Sequence, residues 1–237
     1  MTIAQLYQLF WADGWLQALA EGATRTLGIS MGAFALGLLI GLVVAMMKLK
    51  GPRWMVYWAN VYTTLYRAVP ELLLILLLYF AGADLINSFM ALIGQPSVEV
   101  NGFAAAIVIL GVVQGAYSAE IIRGAIQAIA PGQIEAARSL GMSRVLLLWR
   151  VQLPSMLPFA VAGLFNLWLV LVKDSALISV VGYGELLTAG RQAAATTKHY
   201  LTFYLAVALF YYVITLFTGV LLRLCEARFE RWMPRHS

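Results

Sequence analysis

Charge is scarce in this chain. Only 11% of its 237 residues are Asp, Glu, Lys or Arg, against 62% hydrophobic, and the mean hydropathy is +0.83. That balance excludes an ordinary soluble domain and points to an integral membrane protein. Cysteine is nearly absent. The single Cys225 excludes an internal disulfide, and with His199 and His236 as the only histidines no metal-ligand cluster is expected. There is no G-x-x-x-x-G-K-[ST] loop and no Gly-Lys pair anywhere, so the chain does not cradle ATP phosphates by the usual means. The net charge of +5 is spread in short clusters, with no basic stripe carrying interleaved aromatics, which excludes nucleic acid as a partner. Residues 1 to 24 hold no Lys or Arg. The start therefore lacks the positive region of a cleavable signal, and the first span is expected to stay in the mature protein.

What is abundant is apolar sequence in long runs. Five stretches, near 26–47, 57–81, 103–122, 155–172 and 200–222, are long enough to cross a hydrocarbon core of about 30 Å, which takes about 20 helical residues. The expected fold is all-α, a polytopic membrane bundle of about five helices. Pro70 and Pro158 fall inside the second and fourth runs and should kink them. Residues 3–20 place Ile3, Leu6, Tyr7, Phe10 and Trp11 at helical spacing before Asp13-Gly14 interrupts the run, a pattern that suits an interfacial helix.

With five spans the connections alternate sides, and Lys plus Arg number eleven on one side and four on the other. The positive-inside bias then puts the N-terminus outside and the C-terminus in the cytoplasm. Three G-x-x-x-G matches, at 28–32, 37–41 and 111–115, predict helices that approach backbone to backbone. The first also matches G-x-S-x-G, but Ser30 lies in an apolar helix with no histidine on its span. It reads as a hydroxyl bonded back to its own helix rather than a nucleophile, and no catalytic residue is assigned.

The inner loop 120–154 is patterned. Pro131-Gly132 should make a turn, "QIEAARSL" forms a short helix, Gly141 can end it in a left-handed conformation, and Ser143 can cap the next helix. That next helix, "SRVLLLWRVQL", should lie along the inner surface until Pro154 ends it. Ala136 and Ala137 are small enough for a partner's backbone to come close.

This stretch resembles the signature of binding-protein-dependent ABC importer permeases: Glu135-Ala136-Ala137, then Gly141, then Val151 in place of the usual Ile, then Leu153-Pro154. Residues 62–82 resemble the R-G-x-P-x-x-L segment of the polar amino acid permeases, with Ala68 where Gly is more common, and 171–187 resemble that family's K-x-[ST]-[SA]-L segment. The likeness is greatest to permeases for histidine, arginine, lysine, ornithine and opines. It implies a segment 1–25 outside or at the interface, a permease domain 26–225 with its coupling loop at 120–154, and a cytoplasmic tail 226–237.

The resemblance implies a coupling helix carrying Glu135, Ala136, Ala137, Leu140, Gly141 and Met142, and a translocation pathway touched by Arg67, Pro70, Glu71, Lys173, Asp174 and Ser175. It also implies partners: ATP-binding cassette subunits that hold ATP and Mg, a second permease subunit, a periplasmic binding protein, membrane lipid and an amino acid substrate. No cofactor is expected in this chain. Glu71 has two readings, an ion pair with Arg67 four residues earlier or a carboxylate facing the pathway. A stand-alone secondary transporter or channel is the alternative function, though no internal repeat supports it.

Overall fold

The computed structural model describes residues 7–98 and 101–230; Ile3, Leu6 and the tail from 231 lie outside them. Every regular element among the described residues is helical. Five helical stretches are long and apolar enough to cross a membrane: Trp15–Lys50, Glu71–Leu92, Gly102–Gln127, Arg144–Val181 and Tyr200–Leu221.

After a wide turn at Gln8–Ala12, Gly14 takes a left-handed conformation (φ 76) and releases α1, Trp15–Lys50. At 36 residues it is about 54 Å long and overruns the expected 26–47 at both ends. Gln17 and Glu21, one turn apart and hydrogen-bonded at 3.0 Å, carry the helix through its polar beginning. Within the opening segment Phe10 packs against Phe203 at 5.3 Å, while Tyr7 and Trp11 are exposed.

The second run does not kink at Pro70; it breaks. Helix α2, Arg53–Ala68, ends there, Val69 and Pro70 are extended, and α3, Glu71–Leu92, starts afresh. The proline ring excludes helical geometry from Val69 before it, so one predicted span becomes two helices. Helix α4, Gly102–Gln127, begins at Asn101, whose side chain accepts from Phe103 N at 2.9 Å and Ala104 N at 3.1 Å.

Helix α5, Pro131–Ser139, has Pro131 in its first turn. Pro131-Gly132 is therefore a helix start rather than a free turn, because the missing N–H falls where none is needed. Helix α6, Arg144–Leu147, follows Ser143, whose hydroxyl caps Leu146 N at 3.3 Å. It passes through a wide π-type turn, Leu148–Gln152, into α7, Leu153–Asp174. Pro154 thus does not end the helix. It sits in the first turn of α7, just past the wide turn, where the backbone already departs from the α ladder that a proline would interrupt. A tight helical run, Ser175–Val181, leads to left-handed Gly182, then α8, Leu186–Thr197, and α9, Tyr200–Glu230.

The centre of the bundle is the parallel pair α1 and α4, meshed by glycines from both. A Cβ at Gly32 would lie 2.7 Å from Ile107, at Gly37 2.9 Å from Gln114, at Gly41 2.5 Å from Ser118, at Gly111 2.8 Å from Leu36 and at Gly115 2.6 Å from Ile40. The three predicted G-x-x-x-G segments all contribute to this seam. Ser30 donates to Thr26 O at 2.8 Å, the back-bond expected of it. Around the seam, Ile75 of α3 and Leu171 of α7 join Ile29, Ala33 and Ile109. The end of α1 packs Ala45 with Ile122, Met156 and Ala160.

Candidate functional site

Two of the predicted regions are built by distant parts of the chain. The first is the elbow after α5. Gly141 N donates to Arg138 O at 2.9 Å and Met142 N to Ala137 O at 3.2 Å, with Gly141 at φ 74. This is the paired reversal that ends a helix on a left-handed residue. Ala137 is buried and Ile134 packs on the core of Ala45 and Met156, so α5 is seated on the bundle by that face. Ala137 is thus turned toward the bundle, rather than outward as the sequence pattern suggested. Glu135, Ala136 and Gly141 are exposed, and Leu140 is 78% exposed. Met142 turns half inward and lines a cleft with Arg144.

The second region is the break between α2 and α3. Glu71 occupies the first turn of α3, where the helix dipole favours a carboxylate. It does not pair with Arg67: the ion pairs among the described residues are Lys48–Glu120 and Glu120–Arg123. The break at Pro70 removes the one-turn spacing that such a pair needs. Arg67 instead lies over the Tyr117 ring of α4 at 5.9 Å. The Glu71 carboxylate lies near the Tyr117 hydroxyl and the Asp174 carboxyl group. Lys173 is exposed beside Asp174, and buried Ser175 turns its hydroxyl to Val172 O at 2.7 Å. Arg67, Glu71 and Asp174 are thus brought together from three separate helices, whereas Ser175 points into the packing.

Two polar networks escaped the sequence reading. Lys48 bonds Glu120, and its Nζ also donates to Thr63 Oγ1 at 2.5 Å, while Arg123 holds the other Glu120 oxygen at 2.8 Å. The spacing of Glu120 and Arg123 at the end of a span was the available signal. Fully buried Glu185 caps α8, accepting from Leu187 N at 2.8 Å and Thr188 N at 2.9 Å. It also accepts from Tyr211 OH at 2.9 Å and Thr26 Oγ1 at 3.3 Å, which pins α1, α8 and α9 to one carboxylate.

Residues 37–231 match the family described as binding-protein-dependent transport system inner membrane component. The chain is 35% identical over 227 residues to the octopine transport system permease protein OccQ of Rhizobium radiobacter, covering 95% of this chain and 96% of that protein. It is 32% identical over 222 residues to the histidine/lysine/arginine/ornithine transport system permease protein HisQ of Escherichia coli, covering 94% and 97%. A solved amino acid ABC transporter with histidines superposes with a TM-score of 0.76 at 31% identity, over 96% of this chain and 100% of that one. With the five-span bundle, the glycine seam and the capped elbow in place, these matches show that the chain belongs to the inner membrane components of binding-protein-dependent transport systems, the permeases of ABC transporters.

Proposed function

We propose that this chain is the permease subunit of an importer that carries a cationic polar amino acid or an opine into the cytoplasm. The names of its relatives support that substrate class. The single observation that carries it is the meeting of Glu71 and Asp174 at the α2–α3 break. Two carboxylates in one low-dielectric place repel, and a positive charge between them relieves the repulsion. Arg67 is turned to the Tyr117 ring and Lys173 beside Asp174 is exposed, so a cationic group of the substrate can join the two carboxylates there.

Glu71→Gln keeps size and removes one charge. Uptake of arginine or lysine per molecule of protein should fall about tenfold, 1.4 kcal/mol, with normal membrane levels. Unchanged uptake at normal levels removes Glu71 from the pathway.

In this reading ATP and Mg are held by a separate subunit that docks on α5 at Glu135, Ala136 and Leu140. A second permease subunit completes the path and a periplasmic protein delivers the substrate across a bacterial inner membrane. Gly141→Asp places a side chain at a positive φ, at a cost of about 1 kcal/mol or more. The variant should insert normally but fail to hold its ATP-binding subunit on co-purification; normal uptake in this variant would make the elbow a mere connection. The Lys and Arg asymmetry supports an outside N-terminus. With Cys225 replaced by Ser, a cysteine at Gln95 should react with an impermeant thiol reagent in intact cells, and one at Ser139 should not. The reverse pattern overturns the orientation.

A further inference from the structure

Where α1 ends, two clefts of opposite character meet at Lys50. The first, about 530 Å3, is apolar, formed by Leu42, Val43 and Met46 of α1, Met55 of α2, and Leu148 and Trp149 of the wide turn. The second, about 710 Å3, is bounded by Lys50, Arg138, Arg144 and Gln152, with Gly141 and Met142. No Asp or Glu lines either cleft. Lys50 Nζ donates to Gln152 Oε1 at 2.9 Å, an uncharged partner that leaves its charge uncompensated. Among the described residues the side chains of Arg138 and Arg144 have no hydrogen-bonded or ionic partner.

Three uncompensated cations around one cavity attract an anion, and guanidinium groups match a phosphate in particular. Taken alone they would be solvated surface side chains. What distinguishes them is the apolar cleft that shares Lys50, because a free anion gains nothing from it. The ligand that fits both carries a phosphate at one end and a hydrocarbon chain at the other. The surroundings place this level at a membrane interface. Trp149 is exposed at the rim, and Trp54, Tyr57 and Trp58 at the start of α2 are exposed as well, the aromatic girdle that settles among lipid headgroups. Val43, on the membrane-crossing part of α1, is exposed too, so the apolar cleft is open to a chain arriving from the bilayer.

We propose that the two clefts form one binding site for an anionic glycerophospholipid of the leaflet on the α5 side, its phosphate held by Lys50, Arg138 and Arg144 and an acyl chain lying against Val43, Met46 and Trp149. Basic pockets between membrane helices take such headgroups. An acidic segment of a partner protein would satisfy the cations but leave the apolar cleft empty, and inorganic phosphate would do the same.

The test uses the full-length protein in nanodiscs of phosphatidylcholine containing a minority of phosphatidylglycerol, with the lipids retained after mild extraction identified by native mass spectrometry. Phosphatidylglycerol should be retained over phosphatidylcholine by about tenfold or more relative to its share of the bilayer. The combined Lys50→Gln, Arg138→Gln and Arg144→Gln variant should bring that preference close to parity. Met46→Trp, which fills the apolar cleft, should weaken retention while leaving the cations in place.

A measurement on the unaltered protein guards against a misfolded variant. Brominated phosphatidylglycerol should quench its tryptophan fluorescence more than brominated phosphatidylcholine at equal content, and the difference should shrink in Trp149→Phe. Equal retention or equal quenching by the two lipids overturns the proposal. So does inorganic phosphate displacing the lipid equally well in Met46→Trp and the unaltered chain, which would mark a free-anion site. Loss of an ATP-binding subunit in the triple variant with lipid preference unchanged would make the cleft a protein dock and would equally overturn it.

Discussion

Helices α4 and α9 are nearly equal in apolar character and opposite in position. The crossing part of α4 has a mean hydropathy of 1.8 and is 61% buried within the chain; that of α9 has 2.0 and is 6% buried. The less apolar helix is the central one. In water this would be the wrong way round. In a bilayer the lipid tails are as apolar as leucine, so hydrophobicity gives no reason for a helix to go inside, and close packing of small residues does. Helix α4 carries Gly111, Gly115 and Ala119 into the contact with α1, whereas α9 exposes Leu205, Leu209, Tyr212 and Phe217.

The largest blow to that contrast should come from Gly41→Leu. A Cβ there would lie 2.5 Å from Ser118 Cβ and 3.0 Å from the Ala119 backbone nitrogen, which cannot swing aside. Overpacking of this kind costs about 1–3 kcal/mol or more, and the protein recovered from membranes as a single species on gel filtration should fall severalfold. Normal recovery would mean that the seam does not hold the bundle.

Glu185→Ala is expected to hurt less. It strips Leu187 N, Thr188 N and Tyr211 OH of one buried acceptor, at about 1–3 kcal/mol. The purified chain should unfold at lower temperature by near-ultraviolet circular dichroism, and an unshifted transition would show that α9 does not depend on this carboxylate. The smallest effect belongs to Gly82→Leu on α3, where nothing lies within 4 Å of the new Cβ. Recovery and thermal transition should match the parent; a loss as large as that of Gly41→Leu would erase the distinction between inner and outer helices.

The glycine seam and the elbow could be read in advance because each rests on short-range chemistry. Glycines four apart make a flat helix face, and a glycine after a helix-forming run permits the left-handed turn seen at Gly141. The Ser143 cap and the Ser30 back-bond were legible for the same reason. Helix limits were less so. Hydropathy marks where a segment suits hydrocarbon, not where hydrogen bonding stops, and α1 accordingly runs from Trp15 to Lys50. Pro70 announced a disturbance, but whether it bends a helix or splits it depends on what the freed ends pack against.

By itself, then, the sequence determined that this is a helical membrane protein, how many times it is fit to cross, which helices can approach closely and where the elbow after α5 turns. These follow from composition and from spacings within a few residues. The tertiary structure alone decided which side chains meet across the fold: Glu71 with Asp174 rather than Arg67, Ala137 inward and Leu140 outward, and Glu185 with Thr26, 159 residues away. A carboxylate states only that it needs partners. Which donors reach it is set by how the helices cross, and that geometry exists only once the whole bundle has closed.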